Sequence, residues 1–258
     1  MQRHRSHARA IIECAARMSL PYREFYYPLN VFMHILTHEE GRVLYLHYGL
    51  FTQPDESIES AQERSTELLT QRLPPPPAKI LDVGAGLGTT LSRLSARGYD
   101  ILGITPDEKQ IAMIGRPDVQ CIRFEDLPPQ PFEAIYFQES SQYIPPDPLF
   151  SQARAMTNHV IVLDEFSLRA GGTLHSFDAF LDAAQRHDFR LTEEVDLSRQ
   201  AAPTIDYFNT RLERYREPLT RDLGITNEQV DDLIESGIRY RDLYRDGTYG
   251  YRLLQFNL

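Results

Sequence analysis

The sequence is poor in cysteine and in lysine, and no stretch of it stays apolar for long. Its two cysteines, Cys14 and Cys121, lie far apart and have no neighbouring second ligand, which argues against both a disulfide framework and a zinc site. We therefore predict no bound metal and a reducing, cytoplasmic location. No apolar run approaches the roughly 20 residues that cross a bilayer, so we expect no stable membrane insertion.

Positive charge is also scarce and comes mostly from arginine. Lys79 and Lys109 are the only lysines, and the formal net charge is −10. Because nucleic-acid binding relies on clustered positive charge, this balance argues against a nucleic-acid partner. The basic stretch MQRHRSHARA precedes the amphipathic IIECAARM rather than a long apolar core, so we interpret it as a surface arm and not as a targeting peptide.

The length and the order of segments indicate one α/β core with an accessory part. A chain of 258 residues with 41% hydrophobic side chains can bury a substantial core. Four prolines at 74–77 cannot continue a helix and mark a boundary. After them, strand-like and helix-like segments alternate, which predicts βαβ units and a parallel sheet.

A glycine loop follows directly on the boundary, in KILDVGAGLGTT at 79–90. Residues 80–83 suit a buried strand, the glycines at 84, 86 and 88 permit tight turning and close backbone approach, and the two threonines can open a helix. The dinucleotide fingerprint fails because its third glycine would fall at Thr89. The phosphate-loop pattern fails because no Gly-Lys-Ser/Thr follows. A loop whose glycines merely turn the chain stays open as an alternative.

The stretch resembles motif I of class I S-adenosylmethionine (SAM)-dependent methyltransferases. The resemblance implies an α/β fold with a Rossmann-like seven-stranded methyltransferase sheet, helices on both faces and a helical cap. It also implies SAM as the cofactor, with the glycine loop under its methionine part and the acid near its amino group. These cofactor roles fall on Asp82, Gly84, Gly86 and Gly88.

The same resemblance divides the chain into four parts. Residues 1–73 are an N-terminal helical cap segment, 74–198 the SAM-binding core, 199–247 a helical cap insertion, and 248–258 the terminal strand of the sheet. Within the first part, SIESAQERSTELLTQRL has helical periodicity. We expect the first and third parts to cover the substrate; a homodimer interface or plain packing is the alternative.

Further cofactor contacts are implied where the sequence matches the family's motifs. ILGIT places a threonine where many members carry a ribose-binding acid, although Asp107 and Glu108 just beyond it suit a helix start better. In CIRFEDLPPQ an aromatic residue can stack on adenine, with an acid beside it. The alternative is that the aromatic residue belongs to the core and the acid faces solvent. YLHYGLF is similar to segments that close over SAM in cyclopropane synthases and sarcosine-type methyltransferases. The additional candidates are Thr105, Phe124, Glu125, Gln138, Tyr48 and Gly49.

Polar residues follow two apolar strands, in FQESSQYI and VLDEF, and provide the catalytic candidates. Glu139 and Glu165 stand at strand ends that we expect to be close, and Tyr143 lies near the first of them. His47 has a suitable pKa for proton removal, but a single histidine among aromatics is more often structural. Helix caps or surface ion pairs are the alternative for the carboxylates.

The acceptor is predicted only by class. The cap segments are rich in tyrosine, phenylalanine and methionine, which favours a small, partly apolar, aromatic or isoprenoid molecule. Gln142, Tyr207 and Tyr27 are the candidate contacts. Two other functions stay open: a cyclopropane-synthase-like enzyme acting on lipid chains, which the charge of −10 opposes, and a non-catalytic SAM-binding protein.

Overall fold

The computed structural model describes residues 21–258; the predicted surface arm and IIECAARM lie outside this range. Within it, seven strands form one sheet in the order β3-β2-β1-β4-β5-β7-β6. The strands are β1 Lys79–Val83, β2 Asp100–Thr105, β3 Val119–Cys121, β4 Ala134–Gln138, β5 His159–Ser167, β6 Arg190–Asp196 and β7 Tyr249–Asn257. Strands β1 to β5 pair in parallel, and β7 runs antiparallel between β5 and β6.

Burial on both faces explains the composition of the central strands. In β1 and β4 almost every side chain is buried, as expected for parallel strands covered by helices on both sides. The pairing register aligns the carboxyl ends of β1, β4 and β5, since Val83 pairs with Phe137 and Gln138 pairs with Leu163 of β5. The residues that follow these strands therefore come together at one edge of the sheet.

Helices alternate with the strands and add a group before the last strand. They are α1 Leu29–Glu40, α2 Ile58–Thr70, α3 Thr89–Ala96, α4 Glu108–Ile114, α5 Pro146–Arg154, α6 Phe177–Arg186, α7 Ser198–Ala201, α8 Pro203–Arg214, α9 Arg216–Leu223 and α10 Asn227–Arg245. Short 3₁₀ turns lie at Pro21–Glu24, Phe124–Asp126 and Ser141–Tyr143. Among residues 21–258, no helix combines the length and apolar character that crossing a bilayer requires.

Two cores, one on each face of the sheet, confirm the predicted α/β fold. On one face, Phe150 of α5 and Phe180 of α6 pack against β4, β5 and β7. On the other, Leu69 of α2, Leu91 of α3 and Tyr244 of α10 pack against the same sheet. Helix α2, which the sequence groups with the cap, thus belongs to a layer on the sheet. Its N-cap is Ser57, whose hydroxyl accepts from the Ser60 amide at 3.1 Å.

A third core holds the cap together. Val31 and Ile35 of α1 pack against Leu212 of α8, Leu219 of α9 and Val230 of α10. The Arg211 guanidinium of α8 also donates to Glu39 of α1 at 3.0 Å. One helix that precedes the first strand and three helices inserted between β6 and β7 therefore build one helical layer.

Candidate functional site

The glycine loop between β1 and α3 adopts a backbone that only glycine accommodates easily. Gly84 and Gly86 have φ of +83° and +55°, in the left-handed region. A Cβ at Gly84 would lie 2.5 Å from the Ser140 side chain, so this glycine allows close packing on the turn after β4. At Gly86 the nearest atom would be a carbonyl oxygen at 3.9 Å, so this backbone faces open space.

That open space is a cavity of about 350 Å³, which we call the glycine-loop cavity. The structure brings together here the predicted residues Asp82, Gly84, Gly86, Thr105, Gln138, Glu139 and Tyr143. Asp82 is 3% exposed, and burial raises the pKa of its carboxyl to about 7. The start of α3 also borders the cavity through Thr89 and Thr90.

Thr105 is held at the cavity wall by the start of α4. Its hydroxyl donates to Gln110 Oε1 at 2.7 Å and accepts from the Asp107 amide at 3.2 Å. The Asp107 side chain caps α4 by accepting from the Lys109 amide at 2.8 Å. Gln110 lines the cavity as well and is a polar contact that sequence patterns did not indicate.

Phe124 and Glu125 lie beside an adjoining, smaller cavity of about 150 Å³. This cavity also touches Gly84, Ser140 and Tyr143, so it opens off the same edge of the sheet. Phe124 packs edge-on against Phe137 of β4 with ring centroids 5.2 Å apart, and it belongs to the core. Glu125 is exposed.

Glu139 is the most constrained of the catalytic candidates. Its φ of +54° is unusual for a residue with a side chain, and such strain concentrates at functional sites. Its Oε1 accepts from the Tyr48 amide and from the Tyr251 hydroxyl, each at 2.6 Å. Burial raises the pKa of Glu139 well above its ordinary value; the Tyr251 hydrogen bond opposes this rise, and the nearby Glu165 and Asp164 add to it.

Two further buried carboxyls follow on β5. Glu165 Oε1 accepts from the Tyr244 hydroxyl at 2.6 Å, and burial raises the pKa of Glu165 to about 7. Asp164 accepts from the Ser141 hydroxyl at 2.6 Å, and burial raises its pKa to about 6. The Gln142 side chain donates to the Glu165 carbonyl, which joins the turn after β4 to β5. Three acids with raised pKa values thus cluster at the strand ends.

A second cavity, of about 380 Å³, lies under the cap and is called the cap cavity. Most of its lining is apolar, from Leu29, Phe32, Leu36, Phe208, Leu212 and Leu233. Glu165 and Tyr48 face it from the sheet side. The glycine-loop cavity and the cap cavity share Leu29, Leu46 and His47, so they adjoin at one wall; Glu139 lines the first cavity and Glu165 the second.

His47 stands in that wall with both ring nitrogens engaged. Nδ1 lies 2.9 Å from the Tyr48 carbonyl and so carries the proton, which leaves Nε2 to accept from the Thr66 hydroxyl at 3.0 Å. Burial lowers the pKa of His47 to about 4. The ring is therefore neutral at physiological pH, and its contacts fit a residue that positions the Tyr48 segment.

Five predicted residues, including Gln142, line neither the glycine-loop cavity, nor the cap cavity, nor the small cavity beside Phe124. Tyr207 lines a separate surface groove, with its ring 3.5 Å from the Arg211 guanidinium. Tyr27 donates to the Gln229 carbonyl at 3.0 Å. Gly49 packs on Ala61, and Gly88 caps α3.

Several residues at the site had no clear signal in the sequence. Tyr251 and Tyr244 hold the two glutamates, and Ser140 bonds to the Val83 carbonyl beneath the glycine loop at 2.5 Å. Alternation in TYGYRLL places Tyr249 and Tyr251 on one face of β7, which was the only available hint for Tyr251. Leu29 and Leu46 were indistinguishable from other apolar residues.

Comparison with known proteins identifies the fold. No family model matches the sequence, and no curated protein matches it significantly. The cyclopropane synthase MmaA2 from Mycobacterium tuberculosis has a TM-score of 0.75 at 16% identity, over 94% of this chain and 95% of that chain. For the [4+2]-cyclase SpnF the TM-score is 0.73 at 20% identity, over 87% and 91% of the respective chains.

A third similar structure contains ligands. The geranyl diphosphate C-methyltransferase from Streptomyces coelicolor A3(2), in complex with Mg²⁺, geranyl diphosphate and S-adenosyl-L-homocysteine, has a TM-score of 0.65 at 18% identity, over 93% of this chain and 98% of that chain. The chain therefore has the Rossmann-like methyltransferase fold that the sequence predicts. Because one neighbour is a cyclase, the fold does not by itself define the reaction.

Proposed function

We propose that the chain is a SAM-dependent methyltransferase that acts on a small, largely apolar molecule. The observation that carries this proposal is the meeting of the glycine-loop cavity and the cap cavity at Leu29, Leu46 and His47. The glycine-loop cavity combines apolar side chains with backbone, hydroxyl and carboxyl groups, and the cap cavity has fewer polar groups. Reactants in these adjoining cavities would approach each other at the residues that both cavities share, and direct transfer requires the two spaces to connect there.

The residues of the glycine-loop cavity fit SAM. Gly86 leaves its backbone open for close approach, and buried Asp82 suits a cationic amino group. The start of α3 suits a carboxylate, because its free amides and dipole favour negative charge. When bound, SAM supplies a methyl group already activated on a sulfonium.

The acceptor side combines an apolar wall with a carboxylate. Among residues 21–258, no lysine or arginine lines the cap cavity, which favours a neutral or cationic acceptor over a phosphate-bearing one. The apolar side chains exclude water, and Glu165 and Tyr48 orient a polar group of the acceptor. We assign to Glu139, which lines the adjoining glycine-loop cavity and has a raised pKa, the role of accepting the proton that leaves an attacked carbon or heteroatom.

The proposal is tested with SAM carrying a fully deuterated methyl group. The purified chain is incubated with isoprenoid, phenolic and amine pools, and the products are analysed by mass spectrometry. We expect one class of acceptor to gain a methyl group with all three deuterium atoms. Binding of SAM without any labelled product in these pools would instead favour the non-catalytic alternative.

The same assay, with a pool of unsaturated lipids added, distinguishes a cyclopropane-synthase-like reaction, which the similarity to MmaA2 and the apolar cap cavity favour as a second candidate. Ring closure on an alkene forms a second bond to the transferred carbon and releases one of its hydrons to a base. A cyclopropanated product therefore retains two deuterium atoms, whereas a methylated one retains three.

Two neighbouring aromatic residues of α8 offer a matched test of the cap cavity. Phe208 lines the cap cavity, whereas Tyr207 lines the separate surface groove. We expect Phe208→Ala to raise the KM for the acceptor about tenfold, since loss of a buried aromatic contact costs roughly 1–3 kcal/mol, with little change in kcat. Steady-state kinetics should show Tyr207→Phe, which keeps the buried ring of Tyr207 in the cap core, close to wild type; an equal effect of both variants would contradict this placement.

A further inference from the structure

A separate cluster of titratable side chains lies on the face of α1 that points away from the cap cavity. His34 and His38 are one helical turn apart on α1, and Asp222 of α9 approaches them from the insertion. At about 100° per residue, the two histidines stand opposite the α1 residues that line the cap cavity. Those residues are Leu29, Phe32 and Leu36.

The three side chains converge at distances suited to one ion. One potential ligand atom from each lies within 4.8 Å of the other two. His34 Nε2 is 3.3 Å from Asp222 Oδ2, which is longer than the about 2.7–2.9 Å of a charge-assisted hydrogen bond. Two ligands on a tetrahedral ion bound at about 2.0–2.1 Å stand about 3.3 Å apart. The separation thus matches a ligand pair better than a strong ion pair.

His34 also differs from a fully satisfied structural histidine. Whereas both ring nitrogens of His47 are hydrogen-bonded, His34 has a polar neighbour among residues 21–258 only at Nε2, the nitrogen that would ligate the ion, and its buried Nδ1 stays without a partner with or without an ion. The ring centroids of His34 and His38 are only 4.4 Å apart.

A cation at this cluster would share the Asp222 carboxylate with a neighbouring guanidinium. Arg221 Nε bonds Asp222 Oδ1 at 2.9 Å and Nη2 lies 3.2 Å from Oδ2. Oδ2 is the oxygen that faces His34, and Arg221 can keep its Oδ1 contact while Oδ2 ligates.

We propose that His34, His38 and Asp222 bind one divalent transition-metal ion, with Zn²⁺ as the best fit. Two imidazoles and one carboxylate are ligands that zinc accepts, and exposed His38 leaves a fourth position to water. The ion would tie α1 to α9 behind the cap cavity. It is thus a structural site separate from methyl transfer, although the cysteine pattern gave no sign of a metal.

The test uses untagged chain stripped with a chelator and titrated with Zn²⁺ by calorimetry. We expect one ion per chain and a rise in the melting temperature, because an ion bound only to the folded state stabilises it. Titration with Co²⁺ should give the visible absorption of a tetrahedral ion. His38→Ala, at an exposed position, and Asp222→Asn should each weaken binding at least tenfold.

Matched controls separate this site from other histidines. His187 also lies 3.3 Å from an aspartate, Asp147, but on the surface and without a second histidine, so His187→Ala should bind Zn²⁺ like wild type. The double variant His4→Ala/His7→Ala should do the same. Failure of wild type to bind Zn²⁺, or equal binding by His38→Ala, would overturn the proposal. Binding of S-adenosylhomocysteine is measured in parallel and should be unaffected by His38→Ala.

Discussion

Replacing Gly86 by valine should weaken binding of S-adenosylhomocysteine by at least about 100-fold, which corresponds to about 2.7 kcal/mol. Gly86 has a φ of +55°, and a side chain at this position points into the glycine-loop cavity. The valine side chain would therefore fill the space in which the cofactor must contact the backbone of the glycine loop. Calorimetric titration measures the affinity, and circular dichroism checks that the fold is retained.

Backbone strain must be separated from loss of the cavity, and Gly115 allows this. It has a φ of +60°, close to that of Gly86, but a side chain there would enter open space at the end of α4. Left-handed backbone costs a residue with a side chain about 1–2 kcal/mol at either position. Gly115→Val should thus lose comparable stability yet bind S-adenosylhomocysteine normally. Unchanged affinity in Gly86→Val would show that the loop does not hold the cofactor.

Glu139→Gln should lower kcat by about 100-fold or more, the usual contribution of a positioned general base, while the affinity for SAM stays nearly constant. Glutamine has the same length as glutamate, and its amide oxygen can still accept from the Tyr48 amide and the Tyr251 hydroxyl. The geometry is thus preserved and only the basicity is lost. Steady-state kinetics with the identified acceptor, combined with calorimetry for SAM, separates the two effects.

The pH dependence gives the same prediction an independent readout. Because burial raises the pKa of Glu139 above its ordinary value, the wild-type kcat should rise as pH increases through that pKa and the carboxyl loses its proton. The Glu139→Gln profile should lack this rise. Glu228→Gln, which alters an exposed carboxylate on α10 that lines neither the glycine-loop cavity nor the cap cavity, is the control and should match wild type. A rate in Glu139→Gln equal to wild type would assign Glu139 a structural role.

The sheet and the glycine loop were predictable because their physical causes are local. A buried apolar run followed by glycines with room for left-handed backbone predicts a strand and a turn. The carboxyl ends of parallel strands share one edge, which is why Glu139 and Glu165 could be expected near each other. Strand β3 was harder, since its three residues, Val119–Cys121, are too few to show a period.

Contacts made by packing between distant segments were not predictable. Tyr207 and Phe208 are adjacent on α8, and only the position of α1 decides which of them faces the cap cavity. His47 appeared suitable as a base, but the partners of its two nitrogens come from the chain geometry and not from its neighbours in sequence. The role of Gly49 was not predictable for the same reason, because its close neighbour Ala61 lies on a different segment, α2.

The construction of the cap has a consequence for folding. The hydrogen bond between Arg211 and Glu39 joins residues 172 positions apart, so α1 can dock on α8 only after strands β1 to β6 have been made. Closing so long a loop carries an entropic cost, and we expect the cap to form late and to open first. Amide exchange should accordingly be faster in α1, α8 and α9 than in β1 and β4. Entry into the cap cavity would then follow this partial unfolding, with no need for a permanent channel.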